Sequence, residues 1–330
     1  MGIRLAVERG GWTRHLEQTA GALPGLVPVV KGNGYGFGRH VLMPFAVDLT
    51  GPDSQIAVGT VYEAADVPAE RIPLVLTPHV DELPPHMRPD AVLTVGSAAH
   101  VRALQGHGWT GTVAVKLETS MRRYGVAPAD LTELLDVINA AGFTIDSFTL
   151  HLPLVGTPGS HFAEITAWAT ALDNIDDIDT GHAHPSISVS HLGVEAYAAL
   201  RERDPARPWR LRAGTSLWLG NKQLLHLTAD VLDVRPVAAG EEVGYRGALT
   251  PANGHLVMVA AGSAHGVRNL HDGRSPFHHA RRRLMLLEPP HMHSSMLFVP
   301  HGEPLPSVGE RVDVQRPLTT TTVDELMWLP

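Results

Sequence analysis

The sequence predicts an α/β chain: a (β/α)8 barrel of the TIM type followed by a C-terminal β domain. Three observations predict it. From residue 26 to about residue 220, short apolar runs alternate with helical patterns, and eight such runs can be counted if two short ones are accepted. After residue 221 the period changes, and short β-prone runs parted by glycine, proline and histidine follow one another without a long helix. The 330 residues, 44% of them hydrophobic, suffice for two cores.

Taken in order, Ile3–Val7 is a short apolar segment that leads into a helix-like stretch ending near Gly25. The barrel strands are then Leu26–Val30, Ile56–Gly59, Leu74–Leu76, Ala91–Val95, Val113–Leu117, Phe148–His151, Ile187–Ser190 and Arg210–Arg212. Helical patterns lie between most of them, as over Ala127–Ala141 and Phe162–Leu172. In the second part the strand-like runs are Val231–Val237, Gly244–Thr250, Leu256–Ala261, Arg283–Leu287, Ser295–Val299 and Glu310–Val314. The boundary falls within Asn221–Thr228. This gives a barrel domain over 1–225 and a β domain over 226–330, with the first strand near 3–7 free to join the β domain instead.

Composition narrows the function. A formal net charge of −8 without a long basic run argues against nucleic acid and acidic membranes as partners. With no cysteine there is no disulfide, thiolate metal site or cysteine nucleophile. No apolar stretch approaches a membrane span and no signal-peptide core opens the chain, so the expected location is the cytoplasm.

Val29-Val30-Lys31-Gly32-Asn33-Gly34-Tyr35-Gly36-Phe37-Gly38 carries the chemistry. A lysine at the mouth of a buried strand is partly desolvated, which lowers its pKa and makes the amine a usable nucleophile or base. The glycines on alternate positions admit close approach of backbone, and Tyr35 offers a hydroxyl to an anion. The dinucleotide pattern fails because Phe37, Arg39 and Val41 stand where its last glycine is required, and the lysine precedes the glycines, unlike a P-loop. Strand, lysine and glycine-rich turn suggest a carbonyl cofactor bonded to the amine.

This stretch resembles the cofactor-lysine motif of the alanine racemase family, fold-type III enzymes dependent on pyridoxal 5'-phosphate (PLP). The resemblance implies that Lys31 bonds the cofactor and serves as one catalytic base, and that Tyr35 holds the cofactor phosphate. Lys116-Leu117-Glu118 through Arg123-Tyr124-Gly125 is similar to a second motif. There Lys116 matches a lysine that carries a carbamate in many members, and Arg123 an arginine oriented toward the phenolic oxygen and the substrate carboxylate. His151, at a strand end, matches a histidine packed on the pyridine face. Ser190 matches a phosphate-binding serine, with Ser188 and His191 close alternatives. Arg212-Ala213-Gly214-Thr215 resembles the ending of the eighth strand. Arg212 would face the pyridine nitrogen, where an arginine only donates and so leaves the nitrogen unprotonated, while Gly214 and Thr215 meet the phosphate. Gly244-Tyr245-Arg246-Gly247 resembles the segment with the catalytic tyrosine, so Tyr245 is the second base, entering from the partner of a homodimer. Met292 matches a methionine at the substrate carboxylate.

The implied function is a PLP-dependent racemase interconverting L- and D-amino acids by a two-base Lys/Tyr mechanism. The alternative is a family-like PLP-binding protein with a different PLP reaction or no turnover. Two departures bear on substrate. Ser263 replaces a family tyrosine that narrows the pocket, and no counterpart to a C-terminal gate tyrosine is found before Pro330. The implied substrate is alanine or a larger amino acid, and the wider pocket that these departures leave points to one larger than alanine or to a reaction other than alanine racemisation. His293 stands where the family has aspartate. The second domain is rich in histidine, yet no spacing matches a zinc motif, and no metal is expected.

Overall fold

The structure, a computed structural model, describes residues 2–175 and 184–330. The chain forms two compact units. One comprises the chain up to Arg14, Asn33–Gly38 and Leu219–Pro330, and the other His15–Gly32 and Arg39–Trp218. Strand β1 (Ile3–Glu8) and the start of helix α1 (Arg9–Gly21) belong to the first.

The second unit is the barrel. Its strands are β2 (Leu26–Pro28), β3 (Gln55–Val58), β4 (Ile72–Val75), β5 (Val92–Val95), β6 (Thr112–Lys116), β7 (Thr144–Thr149), β8 (Ile187–Ser190) and β9 (Trp209–Ala213). Each from β3 to β8 runs parallel to the next, and β2 pairs with β9. A bridge between Val29 and Ala57 closes the cylinder. The interior takes small and branched side chains (Val27, Val29, Ala57, Leu74, Val92, Ala114), the sizes that fill an eight-stranded barrel.

Helices α2 (Arg39–Asp48), α3 (Ala98–Gly106), α4 (Leu131–Ala140), α5 (Pro158–Asp173), α6 (Val194–Arg203) and α7 (Thr215–Trp218) follow in order. Ser97 caps α3 and Thr157 caps α5, each through its hydroxyl to a backbone N–H. The crossovers from β3 to β5 have no α-helix. After β3 there is only the 3-10 segment Val61–Asp66, and the stretch after β4 carries Pro78, Pro84, Pro85 and Pro89, which strip it of the donors a helix needs. The helix expected over Ala127–Ala141 starts later, because Pro128 opens a 3-10 turn before α4.

The first unit is built on β10 (Leu225–Val237), which pairs antiparallel with β1, β13 and β18. The remaining strands are β11 (Glu242–Val243), β12 (Ala248–Leu249), β13 (Gly254–Val259), β14 (Phe277–His279), β15 (Arg282–Arg283), β16 (Met285–Leu286), β17 (Ser295–Pro300), β18 (Arg311–Val314) and β19 (Glu325–Leu329). β19 runs parallel to β1. The single run expected over Gly244–Thr250 is instead the turn and outer strand of the β11–β12 hairpin. Gly244 and Gly247 sit at φ +75° and +61°, conformations that end a strand. Residues 33–38 fold into this unit: the Asn33 amide donates to the carbonyls of Leu318 (2.8 Å) and Thr321 (2.7 Å), and Phe37 stacks on Trp12. No helix among the described residues is long and apolar enough to cross a membrane.

Candidate active site

The C-terminal ends of the barrel strands surround a cavity of about 100 Å³ lined by Lys31, Lys116, Arg123, His151 and Arg212, with Thr77, Thr94, Tyr124 and Thr149 between them. Four of these side chains are lysine or arginine and none is acidic. A wider cleft, about 520 Å³, lies in the β unit. Its arginines are already engaged, Arg282 in an ion pair with Glu303 at 2.6 Å and Arg283 donating to the Gln315 amide oxygen at 3.0 Å, so the smaller cavity is where reactive groups converge.

Lys31 lies three residues beyond the end of β2. The chain there is held by the Val30 N–H donating to the Ala57 carbonyl (2.8 Å) and by a carboxylate that sequence reading missed. Glu63 accepts the N–H of Gly32 at 3.0 Å and that of Gly59 at 2.6 Å, tying the turn after Lys31 to the end of β3. Arg39 completes the clasp by donating to the Gly32 carbonyl at 2.6 Å. Burial foremost, then Arg123, holds the Lys31 ammonium below its ordinary range, with Arg212 adding to the effect and Glu63 opposing it. Glu63 carried only a faint signal, a glutamate four residues after the strand-ending Gly59.

Lys116 ends β6 and is buried, its Nζ 3.4 Å from the Thr149 carbonyl. Burial first, then Arg212 and Arg123, lowers its pKa to about 6. The turn beyond it is tightly built. The Glu118 N–H donates to the Val126 carbonyl and the Val126 N–H to the Lys116 carbonyl, Glu164 accepts from Ser120, and Gly125 takes φ +140° where a side chain would strike the Leu117 backbone. This aims Arg123 into the cavity, its guanidinium 4.8 Å over the Tyr124 ring and donating to that phenol at 3.2 Å.

A testable consequence follows for Lys116. In the unfolded chain its amine stays protonated up to pH 10.5, whereas in the fold it sheds the proton near pH 6. Between those values the unfolded state binds the extra proton, so stability rises with pH, and below about pH 6 the full penalty of burying the charge is felt. Lys116→Met in CO2-free buffer should therefore raise Tm most at pH 6 and least near pH 10, the gain differing by roughly several degrees. An equal gain at both pH values in thermal scans would show that the amine is not depressed.

Arg212, on β9, is buried. Its Nη1 donates to the Ser188 hydroxyl (2.8 Å) and carbonyl (2.9 Å), and its Nη2 to the Leu150 carbonyl (2.5 Å). Burial brings its pKa to about 10, so it remains cationic at neutral pH. Of the three residues weighed at the end of β8, Ser188 is thus committed to Arg212, and Ser190 shares a 2.8 Å hydrogen bond with His151 Nδ1. His191 adopts φ +61° and turns Nδ1 to the Leu152 carbonyl at 2.7 Å. Burial and then Arg212 push His151 down to about 3, leaving a neutral imidazole 4.6 Å from the His191 ring. Gly214 and Thr215 follow β9 at the start of α7.

Tyr35, Tyr245 and Met292 lie in the other unit. Tyr35 is buried in the turn Gly34–Gly36 at φ +55°. Tyr245 is 86% exposed and Met292 67%. Ser263 donates its N–H to the His291 carbonyl (2.8 Å) and Ala264 to that of Met292 (2.9 Å), so Ser263 adjoins Met292. Among the described residues there is no group of three or more side chains able to hold a metal ion.

Comparisons with known proteins agree with this architecture. The family model "Alanine racemase, N-terminal domain" matches residues 13–218. An alanine racemase of Nitratidesulfovibrio vulgaris is 27% identical over 290 residues, covering 79% of this chain and 75% of that one. One from Mycolicibacterium vanbaalenii is 28% identical over 265 residues, 73% of this chain and 66% of that one. Among solved structures, alanine racemase of Bartonella henselae, with covalently bound pyridoxal phosphate, superposes with a TM-score of 0.74 at 16% identity, covering 100% of both chains. That of E. faecalis gives 0.68 at 20%, covering 99% of this chain and 98% of that one. With its barrel, its lysine at the mouth of the first barrel strand and this match over most of the barrel, the chain belongs to the alanine racemase family, as a divergent member.

Proposed function

We propose that the chain is a PLP-dependent racemase that interconverts the enantiomers of alanine or a larger amino acid, with Lys31 and Tyr245 as its two bases. Support comes chiefly from one cavity, in which a lysine with a depressed ammonium meets two arginines, a second lysine and no acid. That donor set fits PLP: an amine for its aldehyde, and positive charge for its phosphate, its phenolic oxygen and the substrate carboxylate. When bound, the cofactor supplies an electron-withdrawing ring that acidifies the α-hydrogen of the amino acid joined to it.

The chain's own residues do the rest. Lys31 holds the cofactor and moves a proton on one face of the α-carbon, and Tyr245 moves a proton on the other. Arg212 would offer the ring nitrogen a cationic donor, and its bonds to Ser188 and Leu150 hold the guanidinium in place. His151 would pack on the ring, and Ser190, Gly214 and Thr215, with Tyr35 by the family resemblance, would hold the phosphate. Arg123 and Met292 receive the substrate carboxylate. Above pH 6 the neutral amine of Lys116 can add to CO2, releasing a proton and leaving a carbamate anion beside Arg212 and Arg123.

Tyr245 reaches the substrate from a second protomer. In the single chain Tyr245, Leu249 and Met292 are all more than half exposed, a concentration of apolar groups suited to cover by another copy. Ser263 beside Met292 favours a substrate bulkier than alanine.

Incubating the protein and PLP in heavy water with a panel of single-enantiomer amino acids tests the reading. We expect α-deuterium incorporation with loss of optical activity for at least one of them. Bound PLP without exchange in any would leave a cofactor-holding protein and end the racemase proposal, and exchange confined to alanine would end the idea of a wider pocket.

A further inference from the structure

Glu288 is a buried carboxylate in the β unit, far in sequence from every motif described above, with only 6% of its surface exposed. Its two oxygens are fully engaged. Oε1 accepts the N–H of Tyr245 at 3.3 Å, Oε2 accepts that of Arg246 at 3.2 Å, and Oε1 also meets His291 Nε2 at 2.5 Å. A carboxylate fits there because Gly244 has no side chain: a Cβ on Gly244 would run into it. The imidazole that Glu288 holds then stands edge-on to the Tyr245 ring, centroids 4.6 Å apart. Thus one buried anion grips the backbone on which the phenol is mounted and, through His291, one side of the phenol itself.

Tyr245 needs such support. It projects from the tip of a hairpin whose strands are two residues each, and at 86% exposure its own unit packs little against it. A base in that position would wander by more than the ångström or so that proton transfer tolerates unless something fixed its mounting. We infer that Glu288, acting through His291 and the Tyr245–Arg246 amides, is a positioning residue that aims the Tyr245 phenol. The inference rests on the reading of Tyr245 as one of two bases.

The two bases make the test specific. The enantiomers of a free amino acid have equal free energy, so kcat/KM falls equally in both directions whichever base is damaged, and rates alone do not separate the roles. Proton exchange does. If Tyr245 is impaired while Lys31 works, one enantiomer has its α-hydrogen removed and replaced on the same face by Lys31, so it takes up deuterium without inverting. The other enantiomer, which depends on the phenol, neither exchanges nor inverts.

Glu288→Gln, nearly isosteric, and His291→Gln are compared with Tyr245→Phe in heavy water, following deuterium content and chirality together. Tyr245→Phe should show the one-sided pattern. Glu288→Gln should slow racemisation by about 10–100-fold, and for that same enantiomer should raise the ratio of exchange to inversion. His291→Gln should shift the ratio in the same sense by less. In the protein without cofactor, amide hydrogen exchange at Tyr245 and Arg246 should quicken in Glu288→Gln by about tenfold or more while the barrel amides stay unchanged.

If Tyr245→Phe lacks the one-sided pattern, the two-base reading fails. If it shows the pattern and Glu288→Gln slows both enantiomers' exchange and inversion in parallel, or leaves them at wild-type values, the positioning role fails while the two-base reading stands.

Discussion

Replacing Lys31 with alanine is expected to leave a folded protein that racemises nothing at a measurable rate, a loss of at least about 10⁴-fold, and that loses its PLP on dialysis. The fold should survive because what shapes this turn is backbone. Val30 donates to Ala57, Gly32 to Glu63, and Arg39 to the Gly32 carbonyl, and none of these bonds uses the lysine side chain. Activity should not survive, since one amine both retains the cofactor and handles the proton on one face. Lys31→Arg should fail as fully: it keeps the charge that the cavity already has in excess, but a guanidinium neither condenses with an aldehyde nor gives up its proton near neutrality. Polarimetry after gel filtration, with the absorbance of retained cofactor, decides the matter. Retained cofactor with more than about 1% of wild-type turnover in Lys31→Ala would place the reactive amine elsewhere, and Lys116, neutral above pH 6, would be the next amine to examine.

Much of the barrel was legible because its strands are buried on both faces and therefore read as unbroken apolar runs. Ile187–Ser190 is found where the sequence marks it, as are most residues of the other runs. Lys31, Lys116, Arg123, His151 and Arg212 could be picked out because each ends or closely follows such a run, and barrel geometry gathers strand ends into one place. What the sequence hid was of two kinds. The β unit depends on two-residue strands and on the distant pairing of β1 with β19, and neither leaves a periodic trace. The supporting acids were hidden as well. Glu63 and Glu288 act through backbone amides of glycine-containing turns, and nothing in a one-dimensional pattern separates such a glutamate from one facing water. Glu63 shows how much rests on that: it ties the turn after Lys31 to the end of β3 and its charge opposes the lowering of the neighbouring ammonium.

Two inactive proteins, mixed, are expected to regain activity. Tyr245→Phe alone should fall by about 10²–10⁴-fold, because phenylalanine keeps the ring and the packing on His291 but has no proton to exchange. If each site takes Lys31 from one protomer and Tyr245 from the other, a dimer of one Lys31→Ala chain and one Tyr245→Phe chain holds one site with both lesions and one with none. Random reassembly makes half the dimers mixed, each with one sound site of two, so the mixture should recover about a quarter of wild-type activity. Recovery needs exchange of subunits, so it should appear after brief dissociation and be absent when the two are combined without it. A site built within one chain predicts no recovery under either condition. The physical case for sharing is the exposure of Tyr245, Leu249 and Met292 together with the buried Glu288 clasp: a loop held this firmly while presenting its phenol to solvent is built to meet something outside its own chain. Failure of the mixture in a protein whose two single variants are both inactive would mean that the phenol serves its own protomer.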